Sequence, residues 1–237
     1  MPTQVIIADD GSGEDTRKVV EKYQQLLADK VDFRHVWQID AGFRSAANHN
    51  NALAQAIGDY IVVTDGDVIL HPKFIADHLR FAKSNTFVAG TRQMLSKSLT
   101  DRILRGEKVG LNMFTKGIAK PYRLFRGFWL TIINEWIMQH KAVPSYFLGC
   151  NVAFWKTDIL NVNGYNEDFE GWGKEDNEIA VRLINAGKML RMLYFGAFVF
   201  HLYHKENSRE LLPKNEEILC KSINNKLTRI DNGIYKN

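Results

Sequence analysis

Short apolar runs alternate with amphipathic segments through the first 91 residues of this 237-residue chain. The apolar runs have the length of β-strands, and four are predicted: Gln4–Ala8, Phe33–Ile39, Tyr60–Thr64 and Thr86–Thr91. The segments between them repeat apolar residues at helical spacing, and three helices are predicted: Asp15–Asp29, Arg44–Ile57 and Pro72–Ala82. Strands joined through helices pair in parallel and are covered on both faces. The sequence therefore predicts an α/β fold with a mostly parallel sheet flanked by helices.

The alternation is interrupted after Arg92. Residues 96–145 are predicted to be helical and irregular, with basic and aromatic residues intermixed. Regular elements resume with strands at Asn151–Trp155, Met189–Met192 and Ala197–His201 and helices at Glu175–Ala186 and Pro213–Ile230. A chain of this length is sufficient for one α/β domain or for two small ones. We therefore expect a single domain whose two halves are residues 1–95 and 96–237.

Positive charge is concentrated in one part of the chain. The net charge is +4, but Ser96 to Arg126 contains eight Lys or Arg and only two acidic residues. Residues 97–129, here called the basic segment, also contain Tyr122, Phe125, Phe128 and Trp129. Such a segment indicates an anionic partner, such as a membrane surface, a diphosphate or an anionic acceptor, or else a plain solvated surface. No nucleic-acid-binding module is recognisable, so we expect no nucleic-acid partner.

Cysteine usage and hydropathy favour a cytoplasmic protein, with peripheral contact at the inner face of a membrane as one option. Cys150 and Cys220 form no close-spaced motif and are predicted to be reduced thiols. The N-terminus runs directly into a strand, so no secretory signal is expected. The most apolar stretch, Phe128–Met138, is far shorter than the ~20 residues that span a bilayer. We expect it to be a buried or interfacial helix.

An acidic motif, Asp65-Gly66-Asp67, follows the predicted strand Tyr60–Thr64. Ligands of open α/β sheets bind beyond the carboxyl ends of the strands, which is where this motif falls. Carboxylate oxygens suit Mg²⁺ or Mn²⁺, and such an ion can bridge two phosphates. The motif therefore indicates a metal–diphosphate site, and the alternative is an acidic turn without a ligand.

A second acidic motif, Asp9-Asp10-Gly11-Ser12, follows the first predicted strand and opens at the same edge of the sheet. A carboxylate at this position can accept hydrogen bonds from the N–H of a base or from a ribose hydroxyl. The alternative is a strand-to-helix turn in which Asp and Ser cap the helix that follows.

The segment Trp172-Gly173-Lys174-Glu175-Asp176 precedes and opens a predicted helix. Trp172 offers a flat apolar face for a sugar ring, and the glycine lets the backbone approach a ligand closely. Carboxylates in the first turn of a helix are favoured in the ionised form. Asp176 is therefore a candidate general base for a sugar hydroxyl. The alternative is a simple N-terminal cap on helix 175–186.

Two histidines, His201 and His204, follow the last predicted strand. A neutral imidazole is a good metal ligand, so His201 is a candidate to complete the site begun by Asp67. The alternative is an ordinary histidine at a strand end. A zinc site of both histidines with Cys220 is disfavoured, because no second close-spaced ligand pair exists.

Taken in their order along the chain, these motifs resemble family 2 glycosyltransferases of the GT-A fold with a galactosyltransferase-type C-terminal region. The resemblance covers nearly all of residues 4–205. It is carried by Ala8–Ser12, Gly42–Arg44 with Asn50, Asp65–Asp67, Gly149–Tyr165, and Trp172–Asp176 with His201–His204.

The resemblance implies a UDP-sugar donor, of galactose or an N-acetylhexosamine, that binds the half formed by residues 1–95 and requires Mn²⁺ or Mg²⁺. Asp67 and His201 would hold the metal, with Asp65 nearby. The residues implied to bind the donor are Asp9, Asp10, Arg44 and Asp65.

The resemblance also implies that residues 96–237 bind the acceptor and catalyse an inverting, single-displacement transfer. Asp176 would be the base, and the acceptor would be a glycan or a lipid-linked saccharide of cell-surface polysaccharide biosynthesis. The residues implied to contact the acceptor are Glu175, Trp172 and Gly173.

Two departures from the family pattern bear on activity. The additional first strand–helix unit that the family usually has before this point of the chain is not found in this sequence, and His49 stands where the family often has arginine. A second hypothesis is therefore a non-catalytic nucleotide-sugar-binding remnant or a partner subunit of a complete transferase.

Overall fold

The computed structural model describes residues 1–137, 147–205 and 208–236. The described chain divides into two compact units. The first takes the described residues of Met1–Ile61, Trp155–Gly187 and Asn207–Asn237, and the second those of Val62–Phe154 and Lys188–Glu206. Both units draw on sequence from before and after residue 95. The expected halves, residues 1–95 and 96–237, were defined by their roles in binding and catalysis and not by packing. That division stays a prediction.

Strands and helices alternate along the described chain. The strands are β1 Gln4–Asp10, β2 Asp32–Gln38, β3 Tyr60–Thr64, β4 Val68–Leu70, β5 Thr86–Gly90, β6 Arg92–Met94, β7 Asn151–Trp155, β8 Met189–Leu193 and β9 Val199–His201. The helices are α1 Glu14–Leu27, α2 Ser45–Gln55, α3 Phe74–Phe81, α4 Lys97–Leu104, α5 Phe128–Ile137, α6 Lys156–Asn161, α7 Glu175–Asn185 and α8 Leu212–Asn224, with a 3₁₀ turn at Pro121–Leu124. None of these helices combines the length and the apolar character that crossing a bilayer requires.

The predicted elements are all found, with shifted ends that have local causes. The last helix ends at Asn224 and not at Ile230, because Lys226 has a left-handed φ of 50° that an α-helix does not accommodate. The last strand begins at Val199, because Ala197 has a left-handed φ of 44°. Part of the expected irregular stretch, residues 138–145, lies outside the described residues.

The α/β class is confirmed, and the sheets are mixed. In the first unit β1 and β2 pair in parallel, with Gln4 opposite Asp32 and Asp10 opposite Gln38. A four-stranded sheet, formed mostly by residues of the second unit, has the order β3-β7-β5-β8, in which β8 is parallel and β7 antiparallel to β5. Another sheet, in the second unit, has the order β4-β9-β6, in which β9 is antiparallel to β4 and parallel to β6. The expected parallel pairing therefore holds for only part of the sheets.

Each unit has its own buried apolar residues. In the second unit β5 is buried along its whole length, and Val88 and Ala89 face Ala153 and Val152 of the antiparallel neighbour. In the first unit the most buried apolar side chains are Ile159, Tyr165, Ile179, Ala180 and Leu183. Helix α7 is thereby fixed to the body of the first unit.

Candidate active site

In the second unit, strand pairing brings the acidic turn after β3 against the end of β9. Val68 lies opposite His201 in the antiparallel β4–β9 pair, and the Leu202 N–H donates to the Asp67 carbonyl oxygen at 2.9 Å. Two segments more than 130 residues apart are therefore held in fixed register. This register is the reason that Asp67 and His201 meet, as the sequence predicts.

Three possible metal ligands converge at this junction. Asp67 Oδ2 lies 3.0 Å from His204 Nε2 and 3.4 Å from His201 Nε2. One ligand atom from each of these three residues lies within 4.8 Å of the other two. His201 is buried, whereas Asp67 and His204 remain partly open to solvent. His204 is thus a member of the cluster that the sequence alone did not assign.

Backbone carbonyl groups set the tautomers of both imidazoles. His201 Nδ1 lies 2.8 Å from the Leu202 oxygen, and His204 Nδ1 lies 2.7 Å from the Lys205 oxygen. A carbonyl oxygen only accepts, so each Nδ1 must carry the proton. In the neutral ring each Nε2 then presents a lone pair, and both Nε2 atoms lie near the Asp67 carboxylate. A backbone acceptor behind a histidine is the usual support for a metal-ligating imidazole.

The cluster fits a divalent cation. Two lone pairs and an ionised carboxylate have no proton to share among them, so a cation between them would satisfy all three. Asp67 Oδ1 is also buried without a hydrogen-bond partner in the described structure. One carboxylate and two imidazoles suit Mn²⁺ better than Mg²⁺, because Mg²⁺ prefers oxygen ligands and water.

Asp65 lies in the same electrostatic environment. The pKa of its carboxyl is raised above the ordinary value, chiefly by loss of surrounding water and then by the negative charge of Asp67. The electrostatic influence of His201, Arg92 and His204 acts in the opposite direction and is outweighed. The closeness of the Asp65 and Asp67 carboxyl groups therefore favours binding of a cation at this turn.

In the first unit, the carboxylate of Asp9 organises its own turn. Its Oδ1 accepts from the Ser12 N–H at 2.8 Å, and its Oδ2 lies 2.8 Å from His35 Nε2. Burial acts to raise the pKa of Asp9, but hydrogen bonds from Ser12 and the nearby His35 outweigh it, so the pKa is lowered. His35 was not singled out from the sequence. The β1–β2 register, which sets Ile7 opposite His35, brings it near Asp9.

Asp10 and Arg44 are joined in the first unit. Asp10 Oδ2 accepts from the Arg44 backbone N–H at 2.7 Å, and its Oδ1 accepts from Gln38 at 2.6 Å. Asp10 therefore secures the backbone at the start of α2, and the Arg44 guanidinium donates to the Ile39 oxygen at 2.6 Å. Two of the expected donor-binding residues thus form one hydrogen-bonded loop.

A cavity of about 360 Å³ lies beside the Asp9 turn in the first unit. It is lined by Ser12, Gly13, Glu14, Arg17, His35 and Trp37. The Trp37 ring is half exposed, and its indole N–H donates to the Ser12 oxygen at 3.0 Å. The aromatic wall and the nearby polar groups make this cavity suitable for a flat heterocycle.

The loop before α7 has a backbone that requires glycine. Gly171 and Gly173 have φ values of 68° and 108°, and Lys174 follows at 79°. A Cβ on Gly173 would lie 3.1 Å from Leu212. The Asn215 amide donates to the Gly173 oxygen at 3.0 Å, so α8 holds the loop in place.

The side chains of this loop are presented in different environments. Trp172 is 39% exposed, with the Arg209 guanidinium 5.6 Å from its ring centre. Glu175 is buried and Asp176 is half-buried, both in the first turn of α7. Trp172 and Gly173 in the loop, and Glu175 and Asp176 at the start of α7, thus lie together in the first unit. Asp65, Asp67 and His201 belong to the second.

Sequence comparison and fold place the chain in a known class. Residues 1–136 match the family described as glycosyl transferase family 2, and residues 138–205 match the N-terminal domain of galactosyltransferase. The chain belongs to glycosyl transferase family 2, and its fold is GT-A.

Among curated proteins, the chain is 26% identical over 219 residues to the chondroitin synthase of Escherichia coli, across 84% of this chain and 30% of that protein. It is 26% identical over 216 residues to the hyaluronan synthase of Pasteurella multocida, across 84% of this chain and 21% of that protein. The chain therefore spans less than a third of the length of these relatives.

Two solved structures show the same fold at low identity. GalNAc-T7 with UDP, GalNAc and Mn²⁺ has a TM-score of 0.60 at 12% identity, covering 86% of this chain and 38% of that one. The mannosyltransferase PcManGT of Pyrobaculum calidifontis, with GDP-Man and Mn²⁺, has a TM-score of 0.58 at 15% identity, covering 86% of this chain and 50% of that one.

Proposed function

We propose that the protein is a metal-dependent, inverting glycosyltransferase that moves a hexose or N-acetylhexosamine from a UDP-sugar to a glycan or a lipid-linked saccharide. The observation that carries this proposal is the cluster of Asp67, His201 and His204. Its three acceptor atoms and fixed tautomers suit a divalent cation, and its position after β3 suits a donor diphosphate.

The residues of the cluster would hold Mn²⁺ against the donor diphosphate. A bound ion supplies a positive charge that stabilises the departing nucleoside diphosphate. Asp67 would bind through the carboxylate, and His201 and His204 through Nε2. Asp65, two residues away, adds negative charge that attracts the cation.

The donor's nucleoside would contact the half formed by residues 1–95. Asp9, Asp10 and Arg44 order the loops at the ends of β1 and β2. These loops present hydrogen-bonding groups for a base or ribose. The structural neighbours described above bind UDP and GDP-Man, which supports a nucleoside-diphosphate sugar as the donor class.

The acceptor would contact the loop before α7, in the half formed by residues 96–237. The partly exposed Trp172 ring offers an apolar plate for a sugar, and Gly173 keeps the adjacent backbone accessible. Glu175 would hydrogen-bond the sugar. Asp176, in the first turn of α7, would accept the proton of the attacking hydroxyl, and the dipole of the helix favours its ionised form.

A panel of UDP-sugars tests this function. The purified protein is incubated with each donor and Mn²⁺, and release of UDP is measured with and without saccharide acceptors. We expect metal-dependent UDP release for one donor, stimulated by an acceptor. Calorimetry with UDP and Mn²⁺ is run in parallel. Donor binding without turnover would favour the non-catalytic alternative. The absence of both donor binding and turnover would overturn the assignment.

A further inference from the structure

The basic segment and the rest of α5 have an inner side that is firmly held. Leu95, Leu99 and Ile118 are buried in one cluster with Phe200, and Ile103 and Leu124 pack against it. The segment is therefore attached to the second unit by its own apolar side chains. Because this packing fixes the backbone, the other side chains of the segment are held on its outer, solvent-exposed side.

The outward side chains include large apolar ones. Phe114 is 87% exposed, and Leu104, Tyr122 and Phe125 are each more than half exposed. Single exposed apolar residues are ordinary, but a succession of large ones within one segment indicates an interaction surface. Aromatic residues of this kind are enriched where proteins meet the boundary between lipid and water.

Helix α5 continues the same pattern. Trp129, Ile132 and Ile133 are exposed, and their spacing of three and four residues puts them on one side of the helix. Thr131 is fully buried, and its Oγ1 accepts from the Phe195 N–H at 3.2 Å. The buried threonine fixes the rotation of the helix, so its apolar side faces away from the second unit.

The positive charges of the segment are only partly compensated. Arg102 and Arg105 both pair with Glu107. Lys97 pairs with Asp101, and Arg126 pairs with Asp77. The other four exposed cations, Lys108, Lys116, Lys120 and Arg123, form no ion pair within the described residues. Lys116, Lys120 and Arg123 each lie within two residues of an exposed aromatic side chain, so uncompensated charge and apolar surface occur together along the segment.

We propose that this surface binds an anionic lipid bilayer from one side. The occupant must cover apolar side chains and also neutralise cations. A polyanionic saccharide supplies negative charge but leaves Phe114 and Ile133 in water. A second copy of the surface would set positive charge against positive charge. An anionic bilayer satisfies both requirements, because acyl chains receive the apolar side chains and headgroups pair with Lys and Arg.

Vesicle co-sedimentation tests this assignment independently of any enzymatic assay. The protein is mixed with vesicles of phosphatidylcholine alone or with phosphatidylglycerol added. We expect binding only to the anionic vesicles, weakening as NaCl is raised. The combined variant Lys108→Gln, Lys116→Gln, Lys120→Gln and Arg123→Gln is expected to lower the partition coefficient about tenfold or more.

The matched control removes the same charge elsewhere, by Lys18→Gln, Lys22→Gln, Lys30→Gln and Lys221→Gln, and is expected to bind like the parent protein. A second arm, Phe114→Ser with Trp129→Ser, is expected to lower binding at fixed charge. Equal losses in the segment variant and the control would overturn the proposal. So would the absence of binding to anionic vesicles, or binding to soluble heparin in their place.

Discussion

His204 Nε2 lies 3.0 Å from Asp67 Oδ2, with its Nδ1–H directed to the Lys205 oxygen. In this neutral tautomer His204 Nε2 and Asp67 Oδ2 are both hydrogen-bond acceptors. Their close approach is therefore favourable only if a proton or a cation lies between them. Together with His201, this pair gives the second unit a ready-made position for a divalent ion.

Removing either member of this pair is expected to weaken metal binding. His204→Ala and Asp67→Asn should each reduce the affinity for Mn²⁺ in the presence of UDP by about tenfold or more, because each removes a ligand atom. Free Mn²⁺ is followed by electron paramagnetic resonance during titration. Asp29→Asn, an exposed acid in the first unit, is the matched control. Parental affinity in both variants would contradict a metal role.

Thr100 is expected to position the two histidines. Its buried hydroxyl accepts from the Tyr203 N–H at 2.9 Å, between the imidazole-bearing residues. Thr100→Val leaves that N–H without its acceptor and should weaken Mn²⁺ binding several-fold, up to about tenfold. Thr100→Ser keeps the hydroxyl and should restore the affinity. If the Thr100→Val and Thr100→Ser variants have the same affinity for Mn²⁺, the hydroxyl has no positioning role.

Asp176→Asn is expected to abolish transfer while donor binding persists. The amide keeps the shape of the side chain but cannot take a proton, and loss of a general base lowers turnover by about 10²–10⁴-fold. Turnover and calorimetric UDP affinity are measured on the same preparation. Asp15→Asn changes an equivalent first-turn acid of α1 and should leave both values unchanged. Near-parental turnover in Asp176→Asn would exclude this residue as the base.

Gly173→Ala is expected to destabilise the protein by about 1–3 kcal/mol. Gly173 has a φ of 108°, and an added Cβ would lie 3.1 Å from Leu212. Gly13→Ala is the control, because Gly13 has a φ of −85° and open space around its Cβ position. Urea unfolding compares the two variants. Equal stability would show that the loop before α7 accommodates a side chain without strain.

The protein is expected to lose stability below about pH 6.5, in part through His78. Burial lowers the pKa of His78 to about 4, and its Nε2 lies 2.8 Å from Asn151 Oδ1. The folded state therefore favours the neutral ring. Its contribution is complete above the unfolded pKa of about 6.5 and is lost as pH falls toward 4.

At pH 5 the loss from this group amounts to about 2 kcal/mol relative to neutral pH. Urea unfolding of the parent and of His78→Gln is compared between pH 7.5 and pH 5. The variant keeps a side-chain N–H donor but no titrating group, so its stability should depend less on pH. If the free energy of unfolding changes with pH by the same amount in both proteins, His78 is not a source of the pH dependence.

Much of the fold follows from local patterns. The long strands and helices, such as β1, α1 and α7, contain enough periodically spaced apolar residues to be predicted from the sequence. The three-residue strands β4 and β6 were not predicted, because nothing local distinguishes them and they exist through pairing with β9. The short helix α6 was missed for a similar reason, since six residues contain less than two helical turns.

The sequence by itself determined which residue types are present for chemistry: the acidic turn at Asp67, the imidazoles at and after the end of β9, and the glycines before Asp176. It did so because each motif needs only neighbouring residues to be recognisable. Tertiary structure alone decided that His204 joins Asp67, that His35 bonds Asp9, and that Asp10 secures Arg44. These contacts depend on strand register and on closing the chain over many residues, which no local pattern encodes.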